Sequence, residues 1–234
     1  MALKRARYIV EPYIFIRHCA DGVFIGQDVL AMPTGELWLF ERWGAAPSQF
    51  NAWGGDRRKL AVRKSRDGGR SWEERIPLPV DWNVQGICES GGTSVLRLQS
   101  GRIVLIAHRR SLALGHSGSH GVPVITTSDD DGQTWSPARL LYPHDDIYYV
   151  MNQRLIQMDD GRLVLPISGR DPRVSPADYG EGRHPCQALC FLSNDQGETW
   201  RPSRGLVRDL TERGAQEPCV AQVGPERLLM LYRS

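Results

Sequence analysis

The 234-residue sequence lacks the marks of several protein classes. No apolar run approaches the length of a membrane span, and the N-terminal residues contain neither the uninterrupted apolar core nor the small-residue cleavage site of a signal peptide. The net charge is only +2, and no basic run is longer than residues 54–59, so we expect neither a membrane nor a nucleic acid as a partner. A cytoplasmic location is the default expectation, and an incomplete N-terminus would leave secretion open.

The cysteines are few and form no pattern typical of disulfides or metal sites. There are five of them, an odd number, scattered along the chain. Cys186 and Cys190 lie four residues apart without a histidine at metal-ligand spacing, and His116 and His120 are four apart without a third ligand. We therefore expect ordinary core thiols, no metal and no cofactor.

What the sequence does contain is an internal repeat. Three segments have the form Ser-x-Asp-x-Gly-x-Ser/Thr-Trp, and they occupy residues 65–72, 128–135 and 193–200. Their first residues are 63 and 65 positions apart. Self-similarity at a nearly constant period is the sequence signature of a repeat architecture.

A second element recurs in step with the first. It is a turn residue followed by a short run of leucine and β-branched residues, which is typical of a buried strand. The four copies are residues 35–42, 101–108, 161–168 and 226–233. Further apolar runs that lead directly into the three repeats are residues 59–65, 122–128 and 188–193. No segment has a convincing amphipathic helix pattern, so the sequence predicts an all-β fold.

Each repeat is predicted to form a tight hairpin. The Asp-x-Gly core supplies the positive φ that short hairpin loops need, the Asp side chain can accept turn amides, and the closing Trp can cover the end of a sheet. The period is longer than a WD40 or kelch blade and leaves room for four strands and one long loop. A radial arrangement of such sheets is a β-propeller, which protects strand edges.

These repeats resemble the Asp boxes of the sialidase (neuraminidase) superfamily, and the resemblance covers roughly residues 20–234. It implies a propeller that is six-bladed in the family, with boxes that are structural and lie away from the active site. About four blades are present here, so we expect one domain over residues 1–234 that is incomplete at its C-terminus. Missing C-terminal blades, or another chain, would complete the ring.

The segment 214–234 is similar to the sialidase segment that carries the catalytic Glu and one arginine of the arginine triad. Glu217 and Arg233 are sixteen residues apart, the spacing found in many sialidases. The resemblance implies that Glu217 is the base activating a tyrosine nucleophile, and that Arg233 binds the sialic acid carboxylate. The alternative is a solvent-facing Glu before a Pro turn and a surface charge at a strand end.

Four further residues are candidates for the same site. Asp56 would be the acid and base for the leaving group, or else a surface turn residue. Arg154, in a stretch similar to a segment of bacterial sialidase-like proteins, would point into the central cleft or form a salt bridge at a strand edge. Arg42 has the repeat position of Arg233 and would be a second clamp, and Glu89 would line the cleft.

Two departures from the family pattern bear on function. Residues 25–32, where sialidases carry the first triad arginine, contain none, and the family's last arginine and its tyrosine nucleophile come from later blades. We therefore expect this chain to be poorly active by itself. The predicted function is exo-α-sialidase-like hydrolysis of a terminal sialic acid, or of another acidic sugar, from a glycan. The alternative is a non-catalytic propeller that binds glycans or proteins.

Overall fold

The computed structural model describes residues 25–43, 59–82, 87–88, 93–111, 121–142, 148–149, 154–170, 186–209, 211 and 214–234. Over these ranges the chain forms strands and turns and no helix. The all-β prediction is therefore confirmed. No membrane-spanning helix is found in these ranges.

Seven of the strands correspond to runs that the sequence predicts. In chain order the strands are β1 (Ile25–Ala31), β2 (Leu37–Trp43), β3 (Lys59–Ser65), β4 (Ile76–Pro77), β5 (Ile87–Cys88), β6 (Thr93–Arg97), β7 (Ile103–Ser111), β8 (Gly121–Ser128), β9 (Arg139–Leu140), β10 (Tyr148–Tyr149), β11 (Ile156–Gln157), β12 (Leu163–Arg170), β13 (Cys186–Ser193), β14 (Arg201–Pro202), β15 (Val207–Arg208), β16 (Gln216–Gly224) and β17 (Arg227–Arg233). Each repeated leucine-rich run lies in β2, β7, β12 or β17, and β3, β8 and β13 lead into the Asp boxes.

Within the described ranges the strands form four antiparallel sheets, numbered here in chain order. The first sheet has the order β1-β2-β3-β4, and the second is centred on β7 and β8, with β5 and β6 on one side and β9 on the other. The third is centred on β12 and β13, with β10 and β11 on one side and β14 and β15 on the other, and the fourth pairs β16 with β17. The first three sheets are thus meanders, each made by one repeat of the sequence, as expected for the blades of a propeller, and the fourth is a single hairpin.

The sheets are held together face to face by apolar layers. In β7, Ile103 and Leu105 pack in a core cluster shared with the first sheet, whereas Val104 and Ile106 pack in one shared with the third. All four side chains are fully buried. Because successive side chains of a strand point to opposite faces, one strand serves two interfaces, and each such side chain stabilises the fold by about 1.5–3 kcal/mol.

The three Asp boxes form the same hydrogen-bonded hairpin. In the box at 193–200, Ser193 Oγ accepts the Gly197 amide at 2.9 Å and donates to Asp195 Oδ1 at 2.8 Å. Asp195 accepts the Thr199 amide at Oδ1, at 2.9 Å, and the Thr199 hydroxyl at Oδ2. The same four bonds recur in the other two boxes. The aspartate side chain therefore stabilises its own turn through these hydrogen bonds, as predicted.

Glycine is needed in the box for its backbone and for its size. The box glycine and the residue before it both have positive φ in each copy, a conformation that glycine adopts without steric cost. At Gly132, a Cβ atom would also lie 2.5 Å from the Trp38 ring of the first sheet. The second box therefore packs against the preceding sheet with no room for a side chain.

Hydrogen bonding lowers the pKa of the box aspartates. The hydroxyl and amide of Thr134 hold the pKa of Asp130 at about 2, and Ser71 likewise holds the pKa of Asp67 well below its usual range. At Asp195 burial raises the pKa, but hydrogen bonds led by those from Thr199 outweigh it and leave it lowered. These carboxylates are charged at neutral pH, and their oxygens accept hydrogen bonds from the turn.

The closing tryptophans and the cysteines contribute to the core. Trp200 is only 6% exposed and donates Nε1 to the Gly197 carbonyl at 3.0 Å. Trp135 meets the Phe40 ring of the first sheet edge-on, with ring centroids 6.5 Å apart. Cys186 and Cys190 are buried thiols and not members of a disulfide, so the expectation of core thiols is confirmed for these two.

Candidate functional site

The first half of the site is a bulge in the hairpin β16–β17. Gln216 is opposite Arg233 and Cys219 is opposite Leu231, so β16 carries one residue more than β17 over this interval. Glu217 lies in the bulge with a φ of 50°, a left-handed conformation that costs a non-glycine residue on the order of 1–3 kcal/mol. Bulges commonly redirect a side chain, and here the redirected side chain is a carboxylate.

Glu217 and Gln216 both contact the guanidinium of Arg233. Glu217 Oε1 lies 2.9 Å from Arg233 Nη2, and the same nitrogen donates to Gln216 Oε1 at 2.7 Å. The Glu217 side chain is 19% exposed, whereas that of Arg233 is 48% exposed. The carboxylate is thus sheltered, and the guanidinium keeps an accessible side on which an anion could be bound bidentately.

The approach of residues 214–217 to the third sheet positions this bulge. Gly214 makes a parallel bridge with Cys186, and the amide of Ala215 donates to the Cys186 carbonyl at 2.8 Å. Gly214 has a φ of 65°, and a Cβ atom there would lie 2.2 Å from that carbonyl oxygen. Only glycine therefore allows the contact, which delivers Gln216 and Glu217 to the start of β16.

Gln216 also contacts the third sheet through its other side-chain atom. Its Nε2 donates to Cys186 Sγ at 3.7 Å, a long but acceptable distance for sulfur. Burial raises the pKa of the Cys186 thiol, and the Gln216 hydrogen bond and the charge of Arg233 oppose that rise only in part. Cys186 therefore stays a neutral thiol and serves as a support for Gln216.

Arg154 occupies a second polar position, immediately before β11. Its side chain is exposed, and its charge acts on Asp28 in β1 of the first sheet. Burial raises the pKa of Asp28, whereas amide hydrogen bonds from Val95 and Val29, the charge of Arg154 and a hydrogen bond with Ser94 lower it in part.

The remaining candidates are only partly placed. Arg42 lies in β2 opposite Ile25 of β1 and Leu60 of β3, and its side chain lies outside the described part of the structure. Asp56 and Glu89 lie outside the described residues altogether. The structure therefore brings Glu217 and Arg233 together, and the roles of all six candidates stay predictions.

Sequence reasoning missed three residues around these positions: Gln216, Asp28 and Ser94. Gln216 directly precedes Glu217, and a predicted β16–β17 hairpin register would have placed it opposite Arg233. Asp28 and Ser94 hold the repeat position of Arg154, seven residues before the turn glycines at 35, 101 and 161. Within the described ranges, no three His, Cys, Asp or Glu side chains are grouped so that they could hold a metal ion.

Comparison with protein families and solved structures gives consistent results. A family described as "BNR repeat-like domain" matches residues 89–234, more than half of the chain. A comparison with curated protein sequences gave no match. Solved structures of sialidases match nearly the whole chain, which confirms an all-β fold of the sialidase propeller type, while the number of blades stays a prediction.

Three of these structures show the extent of the similarity. The Hadza microbial sialidase Hz136 has a TM-score of 0.64 and 22% identity, over 90% of this chain and 42% of its own. The K499G mutant of NanB sialidase from Streptococcus pneumoniae has 0.62 and 13%, over 96% and 50%. Penicillium chrysogenum alpha-L-arabinanase, solved with arabinobiose, has 0.55 and 19%, over 87% and 55%. The chain thus spans about half the length of these structures.

Proposed function

This chain belongs to the BNR repeat-like family, and from that premise we propose that it acts on glycans, with a terminal sialic acid as the preferred target. Two of the similar structures are named as sialidases and a third as an arabinanase bound to its sugar. Their names support a glycan as the class of ligand. The choice of an acidic sugar depends on the residues of this chain.

The observation that carries the proposal is the contact between Glu217 and Arg233. A sialic acid has a carboxylate on its anomeric carbon, and the half-exposed guanidinium of Arg233 is suited to bind it. Glu217 is held beside that guanidinium in a sheltered position. An anion bound by Arg233 would therefore have its anomeric carbon close to a carboxylate that can act as a base.

The proposed reaction follows the tyrosine route, because a carboxylate nucleophile would be repelled by the substrate carboxylate. Glu217 takes the proton of a tyrosine hydroxyl as the phenolic oxygen bonds to the anomeric carbon. The bond from that carbon to the leaving oxygen breaks, and Asp56, as predicted from the sequence, donates the proton to that oxygen. Water then attacks the anomeric carbon, giving up a proton to Asp56, and the tyrosine oxygen leaves with the proton held by Glu217. No tyrosine of this chain is assigned the role of nucleophile.

A binding function without turnover is the second candidate. Strand β1 has no arginine at the place where the family resemblance implies the first carboxylate clamp. A site with one clamp and no assigned nucleophile would still hold an acidic sugar.

The test measures turnover and binding on the same preparations. Turnover is followed with a fluorogenic sialoside, and binding with N-acetylneuraminic acid in a calorimetric or NMR titration, for the wild-type chain, Glu217→Gln and Arg233→Met. If the proposal holds, Arg233→Met weakens binding about 10- to 100-fold, the loss of a hydrogen-bonded charge. Glu217→Gln retains binding and loses any turnover about 100-fold or more. Arg227→Met, an exposed cation at the start of the same strand, is the matched control.

Turnover by the wild-type chain that Glu217→Gln removes would exclude the second candidate, whereas binding without turnover is expected of both candidates, because this chain has no assigned nucleophile. The absence of both, or an equal affinity in wild type and Arg233→Met, would overturn the proposal for an acidic sugar. A parallel titration with an arabinan oligosaccharide separates a neutral from an acidic ligand, because a neutral ligand would bind independently of Arg233.

A further inference from the structure

The hairpin of β16 and β17 has two polar attachments to the third sheet near Arg233. The first belongs to β16, where Gln216 and the backbone before it contact Cys186 at the start of β13. The second belongs to β17 and involves Tyr232, the residue directly before Arg233. Its hydroxyl donates to Asp209 Oδ2 at 3.2 Å, immediately after β15. Each strand of the hairpin thus has its own attachment.

The two attachment points lie side by side in the third sheet. β15 pairs antiparallel with β13, and its last residue, Arg208, is opposite Gln187. One further step in this register, past the end of β15, brings Asp209 next to Cys186. The end of the fourth sheet that carries Arg233 is therefore held against one end of the third sheet, through both of its strands.

Asp209 is itself held in place as an acceptor. Its Oδ1 accepts the Thr211 amide at 2.9 Å, which leaves Oδ2 for the Tyr232 hydroxyl. Hydrogen bonds from the Thr211 amide and hydroxyl, and then from Tyr232, outweigh burial and lower the pKa of Asp209, so the carboxylate is charged at neutral pH. The same contact raises the pKa of Tyr232, and the phenol therefore stays protonated and donates.

The end of β17 depends on this kind of contact. Among the described strands β17 pairs only with β16, and a single two-stranded hairpin is marginally stable in water. Met230 packs with Val220 against the third sheet. Beyond it, Leu231 is 62% exposed, and Arg233 is the last residue of the strand. Such ends open at a low free-energy cost unless they are held, and the Tyr232 hydroxyl holds the strand one residue before the guanidinium.

The position of Tyr232 also leaves the guanidinium of Arg233 available. Successive side chains of a strand point to opposite faces, so the bond made by Tyr232 fixes the backbone at Arg233 without using its side chain. That side chain contacts Glu217 and Gln216 and is still 48% exposed. A guanidinium on a fixed backbone loses less conformational entropy when it binds an anion.

We propose that Tyr232 and Asp209 are positioning residues that hold Arg233 for the carboxylate of an acidic sugar. The inference rests on the proposed function, because it assumes that Arg233 binds such a sugar. Neither residue touches the sugar, and both act through the backbone of β17. The competing account is that their hydrogen bond contributes to stability alone.

The first experiment measures the affinity for N-acetylneuraminic acid by titration, well below the thermal midpoint of every variant. Tyr232→Phe removes only the hydroxyl and should weaken binding about 3- to 10-fold, as for one lost hydrogen bond. Asp209→Ala should weaken binding similarly, and adding Tyr232→Phe to it should cause no further loss, because both changes remove the same bond. In the Arg233→Met background, Tyr232→Phe should add nothing, since a residue acting through Arg233 cannot act once it is gone.

A second readout does not depend on the sugar. The Nε–Hε signal of Arg233 in a nitrogen NMR spectrum of the arginine side chains, identified by its loss in Arg233→Met, should shift or broaden in Tyr232→Phe. Ser71→Ala is the matched control, because the Ser71 hydroxyl also donates to a carboxylate, that of Asp67 in the first Asp box, at 2.6 Å. It should leave the signal and the affinity unchanged even if it lowers the thermal midpoint.

The outcomes separate this inference from the proposed function. If Tyr232→Phe binds the sugar like the wild-type chain while Arg233→Met does not, the inference is wrong and the proposed function stands. A loss of affinity in Tyr232→Phe with an unchanged Arg233 signal, or an equal loss with and without Arg233, leads to the same conclusion. If Arg233→Met binds like the wild-type chain, or the wild-type chain does not bind, both are wrong.

Discussion

Glu217 and Arg233 are sixteen residues apart in the chain, yet Glu217 Oε1 lies 2.9 Å from Arg233 Nη2. The hairpin of β16 and β17 accounts for this distance, because its register places the residue before Glu217 opposite Arg233. The bulge at Glu217 then turns its side chain to the same side as the guanidinium. Spacing in the sequence and proximity in the structure are thus two consequences of one hairpin.

The first prediction concerns Gln216, whose side chain accepts a hydrogen bond from the same guanidinium nitrogen of Arg233 that Glu217 contacts. Gln216→Met keeps the length of the side chain and removes the acceptor that Arg233 contacts at 2.7 Å. We expect about 3- to 10-fold weaker binding of N-acetylneuraminic acid, since a hydrogen bond to a charged group is lost but the ion pair remains. A calorimetric titration measures this.

Gln133→Met serves as the control for that change. Gln133 also uses its side chain in a hydrogen bond, but to the Asp130 carbonyl in an Asp box. An equal loss of affinity in both variants would show that Gln216 has no special connection with the site.

The second prediction concerns the backbone of Glu217. Glu217→Ala and Glu217→Gly both remove the carboxylate, but only glycine adopts a φ of 50° without a steric cost. The glycine variant should therefore be more stable than the alanine variant by about 1 kcal/mol in the free energy of unfolding. Urea denaturation of the two variants measures the difference, and equal stabilities would mean that the left-handed conformation is not present in solution.

The third prediction concerns Gly214, whose missing side chain allows the contact with Cys186. Gly214→Ala would bring a Cβ atom to 2.2 Å from the Cys186 carbonyl oxygen, so the segment has to move away. We expect a loss of about 1–3 kcal/mol in the free energy of unfolding, together with weaker binding of an acidic sugar. Urea denaturation and the sugar titration test the two effects.

Gly205→Ala provides the comparison for this substitution. Nothing lies within 4 Å of a Cβ atom at Gly205, which is also not among the glycines with positive φ. A variant at 205 that is as unstable as the one at 214 would argue against a steric cause.

The fourth prediction is a stability difference at acid pH that depends on the Asp boxes. The folded pKa of Asp130 is about 2, below the ordinary value of 3.8, so its contribution is present above about pH 4 and is lost as the pH falls through the folded pKa. Asp130→Asn should therefore lose stability at pH 7 and show a weaker decline than wild type between about pH 4 and about pH 2. Thermal midpoints measured across this range provide the test.

The neighbouring variant Asp129→Asn is the control for the acid experiment. The Asp129 carboxylate pairs with Arg102 and not with the turn amides. If both variants change the decline equally, the effect comes from net charge and not from the hydrogen bonds of the box.

Local patterns made the fold predictable, whereas contacts between sheets did not show in the sequence. The box at 193–200 was recognisable because its residues bond to one another within eight positions. Gln216 was missed because its role depends on the β16–β17 register, and Ser94 because its partner Leu155 lies 61 residues away in another sheet. The bulge at Glu217 could not be inferred from alternation, since an extra residue interrupts that pattern.

The alternation of β7 side chains between two core clusters limits how this protein can change in length. Alternate side chains of the strand belong to different interfaces, so one inserted residue would exchange the two sets beyond the insertion point and misfit two neighbours at once. Two inserted residues would restore the alternation and misplace only the hairpin end. Length variation in natural relatives should therefore avoid the central strands, and where it occurs within them it should come in pairs.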